Sequence, residues 1–168
     1  WGYGAMTNHF GDMTANSKAI FCIGANSAVA NPVGGMKHML QAKDRNNAKL
    51  IVADPNFTKT AAHADLYLRQ RSGTDVALIY GLIHIILKNG WEDKEFLENR
   101  TYGIEEVRKE AEHWTPELTS DVTGVPVDRL IEAANIMAHT KPGTVIWALG
   151  ITQHSVGTSN TRILPILQ

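Results

Sequence analysis

Polar loops in this sequence follow short apolar runs: residues 24–27 after Ala19–Ile23, residues 54–58 after Lys49–Ala53, and residues 150–154 after residues 144–149. A further polar segment, residues 71–75, precedes a strongly apolar stretch. In a parallel α/β sheet, ligands bind outside the carboxyl ends of the strands. Such loops gathered at one edge predict a long cleft, which suits an extended, phosphate-bearing ligand better than a small metabolite.

The first loop combines a glycine with an amide side chain. Gly24 lets the backbone approach a ligand closely, and Asn26 can donate and accept hydrogen bonds at once. The alternative is an ordinary strand-to-helix turn, for which these residue types are common. The glycine pattern is not G-x-G-x-x-G, so the conventional nicotinamide or flavin fingerprint is missing.

Two acids occupy positions where a nucleotide could be bound. Asp54 ends the second apolar run, where dinucleotide folds place an acid on a ribose hydroxyl, although Asp54-Pro55 is equally typical of a turn. Gly73 and Asp75 stand at the start of a helix. Asp75 either accepts hydrogen bonds from the N1–H and exocyclic amine of a guanine or simply stabilises the positive end of the helix dipole.

The last loop carries Gln153, which can hydrogen-bond the edge of a heterocycle, and His154. His154 could be a general base or a ligand, but a lone loop histidine is more often neither. The seven histidines show no H-x-x-x-H spacing, and G-x-S-x-G is absent. Cys22 lies within an apolar run and is interpreted as inert packing. The chain is therefore interpreted as a binding module for part of a cofactor.

The hydrophobic pattern predicts one α/β domain over residues 1–168, with a parallel, Rossmann-like dinucleotide-binding sheet and helices on both faces. Residues 1–18 are expected to form an irregular lead-in. Buried strands are predicted at Ala19–Ile23, Lys49–Ala53, 65–68 and 144–149. Helices are predicted from Pro32, over 74–89, over 92–99, over Ile104–His113, from Pro126 and over 161–167.

Composition narrows the class of protein. The formal charge is −1 with acids and bases mixed, so no basic face indicates a nucleic-acid partner. Cys22 is the only cysteine, which excludes an intrachain disulfide and a cysteine-rich metal site. The longest apolar stretch, 76–87, is too short to cross a bilayer. Because the chain starts at Trp1 and stops within a predicted helix, we expect an internal piece of a larger protein.

An ordered series of strings resembles the catalytic subunits of molybdenum- or tungsten-dependent formate dehydrogenases, within the molybdopterin oxidoreductase (DMSO reductase) superfamily. The strings occupy residues 4–9, 23–26 with a proline six residues on, 51–58, 71–75, 114–117, 122–125 and 149–154. Any one of them is weak evidence. The set spans essentially the whole chain in order.

The resemblance implies an enzyme that oxidises formate to CO2 at a Mo or W ion held by two molybdopterin guanine dinucleotides. Electrons leave through a [4Fe-4S] cluster outside this segment, and an iron-sulfur electron-transfer subunit is an implied partner. By match of motif, residues around the guanosine and diphosphate would be Gly24, Asn26, Asp54, Asn56, Thr58, Gly73 and Asp75. Leu149 and Gln153 would lie nearer the pterin.

Some features depart from the family pattern. Asn56 stands where the family often has arginine, and the loop 26–32 lacks the acid and histidine that the family often carries there. The metal-ligating selenocysteine or cysteine, its neighbouring histidine, the formate-holding arginine and the cluster cysteines lie outside this segment. No catalytic or metal-ligating residue is therefore assigned, and Arg162 is not taken as the formate clamp.

Other interpretations stay open at this point. The chain could belong to a nitrate or polysulfide reductase of the same superfamily, to the central domain of a thiamine-diphosphate enzyme, or to a structural α/β module without a ligand. The strings look most like the exported, respiratory branch, which favours a periplasmic location over the cytoplasmic alternative.

Overall fold

Parallel strands form the centre of the molecule, which a computed structural model describes for residues 9–168. They are β1 (Ala19–Ile23), β2 (Lys49–Ala53), β3 (Leu66–Leu68) and β4 (Gly143–Trp147). The strand order is β3-β2-β1-β4, and every pairing is parallel. The string at residues 4–9, apart from His9, lies outside the described residues.

The middle of the sheet is dry on both faces. All of β1 is buried, and its alternate side chains enter different hydrophobic clusters: Phe21 and Ile23 enter one, and Ile20 and Cys22 enter the other. This explains why β1 appears in the sequence as a continuous apolar run. Burying each large side chain of this kind stabilises the fold by about 1.5–3 kcal/mol.

Helices cover both faces of the sheet. They are α1 (Phe10–Asn16), α2 (Ser27–Ala30), α3 (Lys37–Asn46), α4 (Asp75–Lys88), α5 (Lys94–Arg100), α6 (Ile104–His113), α7 (Pro116–Thr123), α8 (Val127–His139), α9 (Leu149–Thr152) and α10 (Gly157–Leu167), with a π-helical turn at Pro32–Met36 and a 3₁₀ turn at Ala61–His63. Helices α1 and α3 pack on the Cys22 face, and α4, α8 and α10 on the Phe21 face. The predicted α/β fold is confirmed.

Several sequence-based boundaries were wrong. Residues 10–16 form a helix rather than an irregular lead-in, because the His9 ring accepts from the Gly11 N–H while Asp12 accepts from the His9 N–H. β4 ends at Trp147, since the chain turns into α9 at Leu149, and β4 is half-buried rather than buried. β3 starts at Leu66, because the Asp65 carboxylate accepts a hydrogen bond from the Leu50 N–H at 2.7 Å.

Helix α4 organises the Phe21 face. It is 14 residues long and largely buried, as its apolar sequence predicts. Gly81 lets α7 approach closely, because a Cβ at Gly81 would lie 2.4 Å from Thr119 Cγ2. His84 Nδ1 contacts the Ala111 carbonyl at 2.8 Å and connects α4 to α6. No helix within residues 9–168 has the length and apolar character needed to cross a bilayer.

The contact between Gly81 and Thr119 gives a stability test. We expect Gly81→Ala to lower the free energy of unfolding by about 1–3 kcal/mol, because the new methyl group overpacks the α4–α7 contact. Urea unfolding measures this loss. The double variant with Thr119→Ala should lose less stability than the sum of the two single variants, because Thr119→Ala removes Cγ2 and Oγ1, the two atoms closest to the new methyl group. Strict additivity would contradict the packing argument.

Candidate functional site

The candidate site lies where the strand order reverses. From β1 the chain goes to β2 on one side, while β4 returns on the other side of β1. In open parallel sheets this switch point leaves a crevice outside the carboxyl ends of the strands, where ligands bind. Gly24 follows β1 and Gly150 follows β4, so both loops lie at the switch point.

Gly24 and Gly150 bring these two loops into backbone contact. The Gly150 N–H donates to the Gly24 carbonyl at 3.1 Å, and the Gly24 N–H donates to the Ala53 carbonyl at 3.1 Å. Gly24 has φ +57°, and a Cβ there would lie 2.9 Å from the Gly150 carbonyl carbon. A Cβ on Gly150 would lie 2.6 Å from the Gly24 oxygen. Only glycines allow this approach.

Asn26 connects the loop after β1 to the segment after β2. Its Oδ1 accepts from the Thr60 hydroxyl at 3.0 Å, and the same hydroxyl oxygen accepts from the Ala28 N–H at 2.9 Å. Thr60 is fully buried. The side-chain oxygen of Asn26 is therefore engaged within the protein, while its amide nitrogen remains a donor.

Asp54, Asn56 and Thr58 form a compact turn after β2. Asp54 Oδ1 accepts from the Asn56 N–H at 2.9 Å, and Thr58 Oγ1 accepts from the Ala61 N–H at 3.1 Å. The Tyr67 hydroxyl donates to the Asp54 carbonyl at 2.8 Å. Asp54 thus has the turn-forming geometry of the alternative interpretation, and its ribose contact stays a prediction. The Asn56 side chain is exposed at the surface of the turn.

Gly73 and Asp75 stand at the amino end of α4. Gly73 has φ +82°, and a Cβ there would meet nothing within 4 Å, so the space above this residue is open. Asp75 is 5% exposed. Gln70 Nε2 donates to Asp75 Oδ1 at 3.3 Å, and His154 Nε2 lies 3.9 Å from Asp75 Oδ2.

The Asp75 carboxylate is only partly compensated. Within residues 9–168 no lysine or arginine forms an ion pair with it. A buried carboxylate costs several kcal/mol unless it is paired and hydrogen-bonded. The amino end of α4 offsets about 0.3–1 kcal/mol of that cost. Further hydrogen-bond donors from a ligand would stabilise this carboxylate.

His154 joins Asp75 to the loop after β4. Its Nε2 lies 2.7 Å from the Gly150 carbonyl oxygen. Because a carbonyl can only accept, Nε2 carries a hydrogen and acts as a donor. Leu149 and Gln153 occupy the two ends of α9 and are exposed, Leu149 by 62%.

The structure thus connects the loops that the sequence singled out. Gly24 meets Gly150, Asn26 meets the segment after β2, and Asp75 meets His154. The sequence analysis missed Thr60 and Gln70, which no local pattern marks. Arg71 from the 71–75 string instead donates to the carbonyls of Asp121 and Val122 at the end of α7. It therefore holds α7 rather than the candidate site.

Two further features take no part in this chemistry. A cavity of about 300 Å³ opens beside Ala19, Trp91 and Thr144, at the amino ends of β1 and β4, and none of the candidate residues lines it. Burial and, to a lesser degree, the charge of Asp54 raise the pKa of the Cys22 thiol to about 12. Cys22 is consistent with the inert role predicted for it.

Comparison with known proteins agrees with this architecture. The family model for molybdopterin oxidoreductase matches residues 3–165. The F420-dependent formate dehydrogenase 1 subunit alpha of Methanococcus maripaludis is 36% identical over 96% of this chain and 24% of its own length. Formate dehydrogenase H of Escherichia coli is 37% identical over 99% of this chain and 23% of its own length.

More distant activities share the same domain. A nitrate reductase from Synechocystis is 31% identical over 86% of this chain and 20% of its own length. The solved structure of acetylene hydratase from Pelobacter acetylenicus superposes with a TM-score of 0.86 at 33% identity, covering 92% of this chain and 21% of that one. The chain spans about a quarter of the length of the formate dehydrogenase relatives it matches.

The strand order and the loops at its switch point define a Rossmann-like α/β domain. The chain belongs to the molybdopterin oxidoreductase family. The family resemblance predicted from the sequence is confirmed, and relatives named as formate dehydrogenases or their alpha subunits are among its matches.

The contact between Gly24 and Gly150 can be tested directly. We expect Gly150→Ala to lower the free energy of unfolding by about 1–3 kcal/mol, since its Cβ collides with the Gly24 oxygen. Thermal unfolding measures the change. Gly143→Ala is the matched control, because its Cβ finds no atom closer than 4.0 Å. Equal stability of the two variants would refute a tight loop junction.

Cys22 provides a pH-dependent test. The thiolate is the reactive form, so native protein should not react with a disulfide reagent at pH 8, whereas urea-unfolded protein should react at once.

The raised pKa of Cys22 also makes the free energy of unfolding depend on pH, because the folded protein retains the thiol proton more strongly than the unfolded chain. This contribution to stability is fully present below pH 9. It is lost as the pH rises from about 9 to about 12, because only the unfolded chain releases its proton there. Rapid native labelling at pH 8 would contradict the assigned burial.

Proposed function

We propose that this chain is the dinucleotide-binding part of a formate dehydrogenase catalytic subunit and that it holds the guanine end of one molybdopterin guanine dinucleotide. The observation that carries the proposal is Asp75, a buried carboxylate without a matching cation in the described chain, at the mouth of the switch-point crevice. The names of the relatives support the choice of substrate.

Guanine fits the hydrogen-bonding character of Asp75. An ionised carboxylate only accepts, and the guanine edge offers two adjacent donors, N1–H and the 2-amino group. Hydrogen bonds to an ionised group are roughly twice as strong as neutral ones. Adenine and cytosine each place a ring acceptor where guanine has N1–H, so a carboxylate would repel them.

The remaining candidate residues shape the path of the ligand. The open space above Gly73 would allow close approach of the nucleotide to the backbone beside Asp75. The turn of Asp54, Asn56 and Thr58 would line the guanosine and diphosphate, with the exposed Asn56 side chain able to bind directly. Asn26 contributes its amide donor from the loop after β1. Leu149 and Gln153 would lie nearer the pterin.

The chemistry would come from the cofactor, and this chain would orient it. When bound, a molybdenum or tungsten ion held by two such dinucleotides would accept two electrons as formate becomes CO2 and a proton. We further propose that the electrons leave through a [4Fe-4S] cluster in the rest of the catalytic subunit, and then through an iron-sulfur partner subunit. The task of this chain is to fix the position of the dinucleotide.

Asp75→Asn in the full-length enzyme tests the assignment. The amide replaces one acceptor by a donor, so we expect retention of the guanine nucleotide to fall roughly 5- to 150-fold, the equivalent of about 1–3 kcal/mol of base discrimination. The measurement is GMP released by acid, together with Mo and W, per polypeptide after gel filtration.

Asp128→Asn is the matched control, because Asp128 is an exposed acid in the first turn of α8. It removes the same charge from a helix start away from the site, and cofactor content should stay unchanged. Normal GMP and metal content in Asp75→Asn would sink the proposal. The thiamine-diphosphate interpretation was wrong, because the chain belongs to the molybdopterin oxidoreductase family.

A nitrate reductase is the second candidate, since one relative carries that name at 31% identity over most of this chain. The full-length protein separates the two activities. Formate with an oxidised dye measures the dehydrogenase, and nitrate with a reduced dye measures the reductase. Turnover of nitrate but not formate would replace the proposed substrate while leaving the binding role of this chain intact.

A further inference from the structure

Gln70 is a buried amide with only half of its hydrogen-bonding capacity used. It lies between β3 and α4 and is 2% exposed. Its Nε2 donates to Asp75 Oδ1 at 3.3 Å, but within residues 9–168 its Oε1 is buried without a hydrogen-bond partner. An unsatisfied buried acceptor is unusual in a folded protein and requires an explanation.

The contact with Asp75 explains the orientation of this amide. Turning the amide over would place Oε1 against a carboxylate oxygen, acceptor against acceptor. The orientation that leaves Oε1 unpaired is therefore retained because the Nε2 donor must face Asp75. The second carboxylate oxygen faces His154 Nε2, which also carries a hydrogen because it contacts the Gly150 carbonyl. That single hydrogen is directed at the Gly150 carbonyl, and at 3.9 Å the His154 ring forms no hydrogen bond with Asp75 Oδ2.

We propose that Gln70 is a specificity-determining residue for the nucleobase end of the cofactor. Its amide holds Asp75 as a group that only accepts hydrogen bonds, so the site selects a base edge with two adjacent donors. The inference rests on the proposed function, because it presumes that a guanine nucleotide meets Asp75. Gln70 acts through Asp75, and no contact between Gln70 and the base is required.

Replacing the amide by an acid should relax this selection. In Gln70→Glu, two carboxyl groups lie within hydrogen-bond distance and share one proton. Asp75 can then present a donor, which matches the ring acceptor of adenine. In Gln70→Leu the carboxylate loses the donor that fixes its orientation and favours its acceptor-only form. Both changes alter selectivity through Asp75 without touching the ligand.

Nucleotide selectivity measures the effect. GDP, IDP and ADP are titrated calorimetrically into full-length apoprotein from a host that does not make the pterin cofactor. Wild type should prefer GDP to ADP by at least about tenfold, and GDP to IDP as well, since inosine lacks the 2-amino group. The GDP-to-ADP ratio should fall at least about fivefold in Gln70→Leu, and further in Gln70→Glu.

Two controls separate positioning from general damage. Gln41→Leu removes a partly buried amide on α3, which contacts Thr14 on the other face of the sheet, and should leave the ratio unchanged. The double variant Gln70→Leu, Asp75→Asn should lose no more selectivity than Asp75→Asn alone, because both changes act on one group. Thermal unfolding shows whether each variant is folded. If Gln70→Leu does not fold, the selectivity of the isosteric Gln70→Glu variant provides the test.

The outcomes distinguish the two proposals. A wild-type protein without preference for GDP overturns the guanine assignment and this inference together. A wild-type preference that persists in both folded Gln70 variants overturns the role of Gln70 alone. Additive losses in the double variant also overturn it, since Gln70 would then act independently of Asp75. A reduced ratio with non-additive losses is the expected result.

Discussion

The junction of Gly24 with Gly150 sets the geometry of the whole carboxyl edge. A chain of backbone hydrogen bonds runs from the Ala53 carbonyl to Gly24 and from the Gly24 carbonyl to Gly150. His154 Nε2 donates to the Gly150 carbonyl and lies 3.9 Å from Asp75 Oδ2. Hydrogen bonds therefore connect the end of β2 to the switch point, and the start of α4 lies beside them. A side chain at either glycine would break the connection at its narrowest point.

The centre of the fold could be predicted because its signals are local. β1 and β2 appear in the sequence as continuous apolar runs bounded by polar residues, which is the pattern typical of strands buried on both faces. The edge strand β4 was predicted at the right place, but the observed strand ends at Trp147, two residues before the predicted end. The Gly150 N–H donates to the distant Gly24 carbonyl, and α9 starts there. Helix α1 was missed because its start depends on mutual capping by His9 and Asp12.

The candidate site was predictable in outline only. The position of each loop after a strand indicated where a ligand is expected to bind, and the structure places Gly24, Asn26 and Asp75 around this candidate site. Their partners could not be predicted. Thr60 lies 34 residues from Asn26, and the sequence offers no reason to join them. Relatives named as dehydrogenase, reductase and hydratase share this domain, so the fold by itself does not choose the reaction.

The two edges of the sheet are unequal. β3 is three residues long, and a short edge strand offers little to pair with. β4 is five residues long, half-buried, and among the described residues pairs only with β1. An edge strand of five residues carries a longer row of backbone N–H and C=O groups than one of three. The two edges of the sheet therefore differ in how much backbone they offer to another strand.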